Sequence, residues 1–149
     1  MIRYLLISRM VNDLKEVRQV NRFHPEESVF EHTAQVVSHA VKETTDKDLL
    51  IAALLHDVGK AKSFCKHADI GAAMIQHLVS EKTHWLVANH MRMHLFNDGK
   101  LKRAGKAIKL SSHPWFKDLV MLSRWDMMGR VANITTRNPV YILSKGGLT

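Results

Sequence analysis

Apolar side chains recur at three- and four-residue spacing along most of this chain, and cap-forming polar residues stand just ahead of several such stretches. A first helix is predicted over residues 5–20. Ser28 followed by Glu31 forms a capping-box pattern ahead of a helix over residues 29–42. Thr45 or Asp46 caps the stretch DKDLLIAALLHD, which stops at Gly59. Asp69 is expected to cap IGAAMIQHLV and Thr83 to cap HWLVANHMRM. Asn97, Asp98 and Gly99 mark a turn, and Pro114 is expected as the first helical residue of a segment containing WFKDLVMLSRWDMM. No segment shows strand alternation flanked by hairpin turns. The pattern predicts an all-α fold, a compact bundle of about six or seven short helices in one domain spanning residues 1–149. Residues 133–149 suit either a short extended piece or a loosely packed tail.

A chain of 149 residues can bury a real core without disulfides. The single cysteine, Cys65, excludes an internal disulfide, fits a reducing compartment and reads as a small buried side chain. No apolar run approaches the ~20 residues of a membrane helix, and the amino terminus lacks a signal-peptide cleavage region, so no membrane association and a cytoplasmic location are expected. The net charge of +8 changes the picture more. It favours phosphate-bearing partners, and it gathers between Lys100 and Lys109. Lys102, Arg103, Lys106 and Lys109 are spaced to share a helix face, either simply solvated or a rim for nucleic-acid phosphates.

Ten histidines are the main chemical signal. In LLHDVGK, residues 54–60, an apolar helix ends on His56 and Asp57. An adjacent His-Asp pair in apolar surroundings is costly unless its polar groups are compensated, and a divalent metal does so. Imidazole and carboxylate suit Zn, Mn, Fe, Co or Ni, and the two oxygens of Asp57 can bridge two ions. Without a metal, His56 would cap its own helix end and Asp57 would pair with Lys60.

LLHDVGK resembles the signature of the HD-domain superfamily, a set of all-α metal-dependent phosphohydrolases. The stretch HPEESVFEHTAQVVSHA, residues 24–40, is similar to the segment bearing that family's first ligand histidine, which places His32 in that role. KHADIGAAMI, VANHMRMH and FKDLVMLSRWDMMGR resemble later family segments and bring in His67, His90 and Asp126. The likeness is strongest over residues 24–130, and its nearest form is the HD domain of bacterial tRNA nucleotidyltransferases. Nothing here resembles their polymerase domain, so the HD part is expected to stand alone.

The resemblance implies a metal set of His32, His56, Asp57, His67, His90 and Asp126, holding one or two divalent transition metals. Asp57 and Lys60 are the expected catalytic groups, with Lys60, Arg92, His94 and Arg130 as substrate contacts. Arg124, two residues from Asp126, should point to another face of its helix. His24 reads as part of a turn with Pro25, His39 as a residue behind the ligands, and His77, His84 and His113 as surface or capping residues. The expected partner is a small phosphorylated substrate, a nucleotide first of all, with RNA possible. Two other functions fit the same residues. One is an RNA- or polyanion-binding module with a structural metal. The other is an HD-like di-iron oxygenase with the same six ligands.

Overall fold

The computed structural model describes residues 1–145 apart from Val20, Arg22, Glu27 and Lys102. Among the described residues there are α1 (Ile2–Asp13), α2 (Val29–Glu43), α3 (Lys47–Leu55), α4 (His67–Ile75), α5 (Glu81–Asn97), α6 (Ala104–Ser111), α7 (Phe116–Met128) and α8 (Pro139–Lys145). Two 3-10 turns, Leu14–Glu16 and Val58–Ala61, complete them, and no strand forms among these residues beyond isolated bridges. The all-α expectation holds. The helix beyond the expected number is α8, in the tail that the pattern left open; the last four positions of that tail lie outside the described residues.

The helix starts that rest on side-chain capping chemistry fall where expected. Ser28 Oγ accepts from the Phe30 and Glu31 amides, and Asp46 accepts from those of Asp48 and Leu49. Other boundaries move. The first helix stops at Asp13, because Val17 is extended and its carbonyl accepts from the Val29 amide, tying the chain to the start of α2. Val20, the expected end of that helix, lies outside the described residues. Asp69 is not a cap: α4 already begins at His67. Ser80, not Thr83, caps α5, and the Thr83 hydroxyl is spent on the Asp48 carbonyl. Pro114 lies in the turn two residues before α7. Cys65, expected inside, is exposed in the loop ahead of α4.

In α3 every residue from Leu49 to Leu55 is buried. A helix apolar all round must be enclosed, and α2, α5 and α7 surround this one. The enclosure decides the site, because the residues that follow, His56 and Asp57, are carried into the centre of the bundle. Trp125 on α7 is also fully buried, and its indole N–H donates to Glu43 at the end of α2, closing α7 against α2.

Two glycines allow the close approaches on which the site depends. A Cβ on Gly59 would overlap the His67 carbonyl and lie 2.7 Å from the Gly71 nitrogen. A Cβ on Gly129 would lie 2.7 Å from Val36 Cγ2 and 3.3 Å from the His32 carbonyl oxygen. Gly59→Ala should therefore push the start of α4 away from Asp57. We expect a loss of about 2–3 kcal/mol in denaturant unfolding, as for other overpacked positions. An unchanged unfolding midpoint would show that the contact yields without cost.

Candidate metal centre

Four histidines and two aspartates converge where α2, the end of α3, α4, α5 and α7 meet. His32, His56 and His90 are almost wholly buried, as is Asp57, and His67 and Asp126 are nearly so. In all four histidines the Nδ1 N–H donates to a backbone carbonyl: His32 to Gly129 (2.9 Å), His56 to Ala53 (2.9 Å), His67 to Phe64 (2.8 Å) and His90 to Val87 (2.7 Å). These bonds place a proton on Nδ1 and turn the Nε2 atom of every ring inward. Metal-binding imidazoles are oriented in this way.

The Nε2 atoms meet in two pairs, His32 with His56 at 3.4 Å and His67 with His90 at 3.1 Å. Asp57 lies between the pairs. Its Oδ2 is 3.4 Å from His56 and 3.6 Å from His32, while its Oδ1 is 3.2 Å from His67 and 3.5 Å from His90. Asp126 Oδ1 closes the first group, 2.8 Å from His32 Nε2 and 3.6 Å from His56 Nε2. These six donors fall into two sets compact enough for one ion each, His32, His56 and Asp126, and Asp57, His67 and His90, and a third such group, His24, Glu26 and His32, shares His32.

The arrangement fits a divalent transition metal. Opposed lone pairs repel unless a proton or cation lies between them. Asp57 Oδ2 is buried with no hydrogen-bond partner, although the Lys60 ammonium forms an ion pair with it at 2.9 Å. Neutral imidazole with carboxylate is the donor chemistry of Zn, Mn, Fe, Co and Ni.

Without a metal, protons do the same work. Burial alone would lower the His32 pKa, but hydrogen bonds to Asp126 and Glu26 and the nearby charges of Asp126 and Asp57 lift it to about 9. Burial opposes His56 likewise, and the charge of Asp57 with the Asp126 contact raises it to about 10. His90 moves down, through burial and the neighbouring charge of His56. Burial works against ionised Asp57 and Asp126, yet the surrounding histidines, with Lys60 beside Asp57, hold both well below the usual carboxylate range. At pH 7 His32 and His56 therefore carry protons that a metal must displace. Metal binding should release roughly two protons, and affinity should fall as pH drops. Calorimetric titration in buffers of different ionisation enthalpy measures the release, and a value near zero would contradict the protonation drawn here.

The other expected residues divide. His94, one turn beyond His90, donates from Nε2 to Asp126 Oδ2 at 2.7 Å. Lys60 is held between Asp57 and Gln19 Oε1, the latter at 2.9 Å. Arg130 reaches within 3.8 Å of Asp126 Oδ1, and its buried Nε has no partner. Arg92 does not join them. It bonds Asn89 and lines a separate cavity with Lys106 and Lys109. Residues two apart on a helix do not share a face, so its distance from His90 already carried that signal. Arg124 pairs with Glu43, away from the site as expected. His39 enters neither donor set.

Glu26, Gln19 and His24 were not foreseen in the site. Glu26 Oε1 lies 3.3 Å from His32 Nδ1 and 2.8 Å from His24 Nδ1, with Gln19 Nε2 at 3.4 Å. Burial would raise the Glu26 pKa, but its contacts to His24 and His32 lower it to about 2.

A family model, that of the HD domain, matches residues 29–114, more than half of the chain. The chain belongs to the HD-domain family. This is a superfamily of metal-dependent phosphohydrolases, and the match spans His32, the His56-Asp57 pair, His67 and His90. No curated protein matches the chain, so the narrower likeness to the HD domains of tRNA nucleotidyltransferases rests on its motifs alone. Among the described residues no helix of this HD domain is long and apolar enough to cross a membrane.

Proposed function

We propose that this HD domain is a divalent-metal-dependent phosphohydrolase acting on a small phosphate ester, a nucleotide first of all. The observation that carries the reading is the split carboxylate of Asp57, whose two oxygens face separate histidine pairs. His32, His56 and Asp126 would hold one ion and His67 and His90 a second, with Asp57 shared. A bound metal of this kind supplies Lewis-acid polarisation of a phosphoryl oxygen and lowers the pKa of water.

The chain's own groups do the rest. Four backbone-anchored imidazoles keep the donor geometry from relaxing when charge changes. His94 holds the outer oxygen of Asp126, leaving the inner one to face His32 and His56. Lys60 and Arg130 place positive charge at the edge of the cluster, where a phosphate gathers negative charge in the transition state. A cavity of about 390 Å³ lined by Arg18, Asn21, His24, Lys60, Phe64 and His67 reaches the cluster from this side, and its size suits a small ligand.

The test is a screen of nucleotides, other phosphomonoesters and phosphodiesters with Mn, Co, Ni, Zn and Fe, scored by phosphate or alcohol release. Hydrolysis lost on chelation and restored by a divalent metal is expected. A metal-loaded protein inert toward the whole panel would overturn the reading. Oxygen consumption by an iron-loaded protein would favour the di-iron alternative. RNA retention by metal-free protein, weakening steeply with salt, would favour the binding module.

A further inference from the structure

A cavity of about 520 Å³ lies away from the metal centre. It opens between α5, α6 and the turn before α7, and none of its lining residues belongs to either donor set. Its chemistry comes from residues left over by the function proposed above. Arg92 enters from the side of α5 that faces away from His90, and Lys106 and Lys109 enter from α6. Trp85 and His113 form one wall, with stacked rings 3.8 Å between centroids and 13° from parallel. Leu110 contributes apolar surface, and no carboxylate is among the described residues that line the space.

The basic stripe also takes a different form from the one expected. Lys102 lies outside the described residues, and Arg103 is in extended backbone before α6 begins. Among the described residues Lys106 and Lys109 have no acidic partner, so with Arg92 they bring positive charge together on one cavity. Aromatic planes stack on aromatic ligands, and cations without acids demand an anion. The volume suits one drug-sized molecule.

We infer that this cavity is a second binding site, separate from the metal centre, for a mononucleotide-type ligand: an aromatic base against the Trp85–His113 wall and a phosphate held by Arg92, Lys106 and Lys109. A ligand carrying only phosphate leaves the aromatic wall unused. A polynucleotide would need a track of cations, whereas these three surround a single space.

AMP is the probe. Binding is followed by calorimetry and tryptophan fluorescence in the Asp57→Asn background, where the metal centre should be empty, with hydrolysis of para-nitrophenyl phosphate measured alongside in the metal-loaded protein. The variant K106E/K109E changes two exposed residues of a short surface helix, so its melting temperature should match wild type. It should bind AMP at least about ten-fold more weakly, since charge-assisted contacts are lost, with hydrolysis unchanged. His113→Ala should weaken AMP but leave inorganic pyrophosphate unaffected. Four results would each overturn the inference. These are AMP binding unaltered by K106E/K109E, hydrolysis falling together with AMP binding, pyrophosphate binding as tightly as AMP, and single-stranded RNA bound where AMP is not.

Discussion

Asp57→Asn will empty both metal positions and reduce phosphoester hydrolysis by at least about a thousand-fold. The amide keeps the shape of the side chain but removes the charge that both histidine pairs face at 3.2–3.6 Å. Metal catalysis is worth several kcal/mol of transition-state stabilisation, which corresponds to a rate loss of about that size. Stability should fall for two reasons. The metal-loaded wild type gains from mass action, and the variant forfeits this gain. The metal-free variant also leaves His56 and Lys60 without the carboxylate whose charge they face, so it should melt below metal-free wild type. Metal analysis by mass spectrometry, activity, and thermal melts with and without chelator separate these outcomes. Full metal content in Asp57→Asn would remove the carboxylate from the centre of the scheme.

The second large effect divides the two positions. His67→Ala and His90→Ala each remove one donor from the set that Asp57 completes, and neither residue contacts Asp126 within ion-pair distance. Each variant should keep one metal per chain and lose most of its activity, roughly a hundred-fold or more. His32→Ala and His56→Ala should do the reverse, keeping the metal held by His67 and His90. Loss of both metals in all four variants would mean one indivisible centre. Wild-type activity in both His67→Ala and His90→Ala would leave those two histidines with a structural role only.

What could be read from the sequence follows from how local each cause is. Ser28 and Asp46 cap by bonding amides two and three residues ahead, and such chemistry is visible in a short window. The run of residues 49–55 signals burial by itself, because no polar position interrupts it. Where the structure departs, a distant partner intervenes. Val17 leaves the helical path to bond Val29, and Thr83 turns to Asp48 rather than capping. The six residues brought together came from motif resemblance. No spacing rule brings residues 32 and 126 together; that takes the enclosed α3. Glu26 stayed hidden because it lies in an irregular segment and acts on the far nitrogen of His32. Arg92 lies apart from the cluster for a simpler reason, since residues two apart on a helix do not share a face and His90 takes the inward one.

The anchoring bonds of the imidazoles differ in how far they reach along the chain, and this difference bears on the order of assembly. His56, His67 and His90 each bond a carbonyl three residues earlier, so one local turn of chain is enough to aim them. His32 bonds Gly129, 97 positions away. His67 and His90 are 23 positions apart, whereas His32 and Asp126 are 94 apart. Closing the longer loop costs about 1 kcal/mol more in chain entropy. During synthesis the donors at 57, 67 and 90 have all been added before Asp126. The half of the centre built on His67 and His90 therefore has all its donors in the chain before the residue that completes the other half has been added. The half built on His32 must wait for α7 to dock.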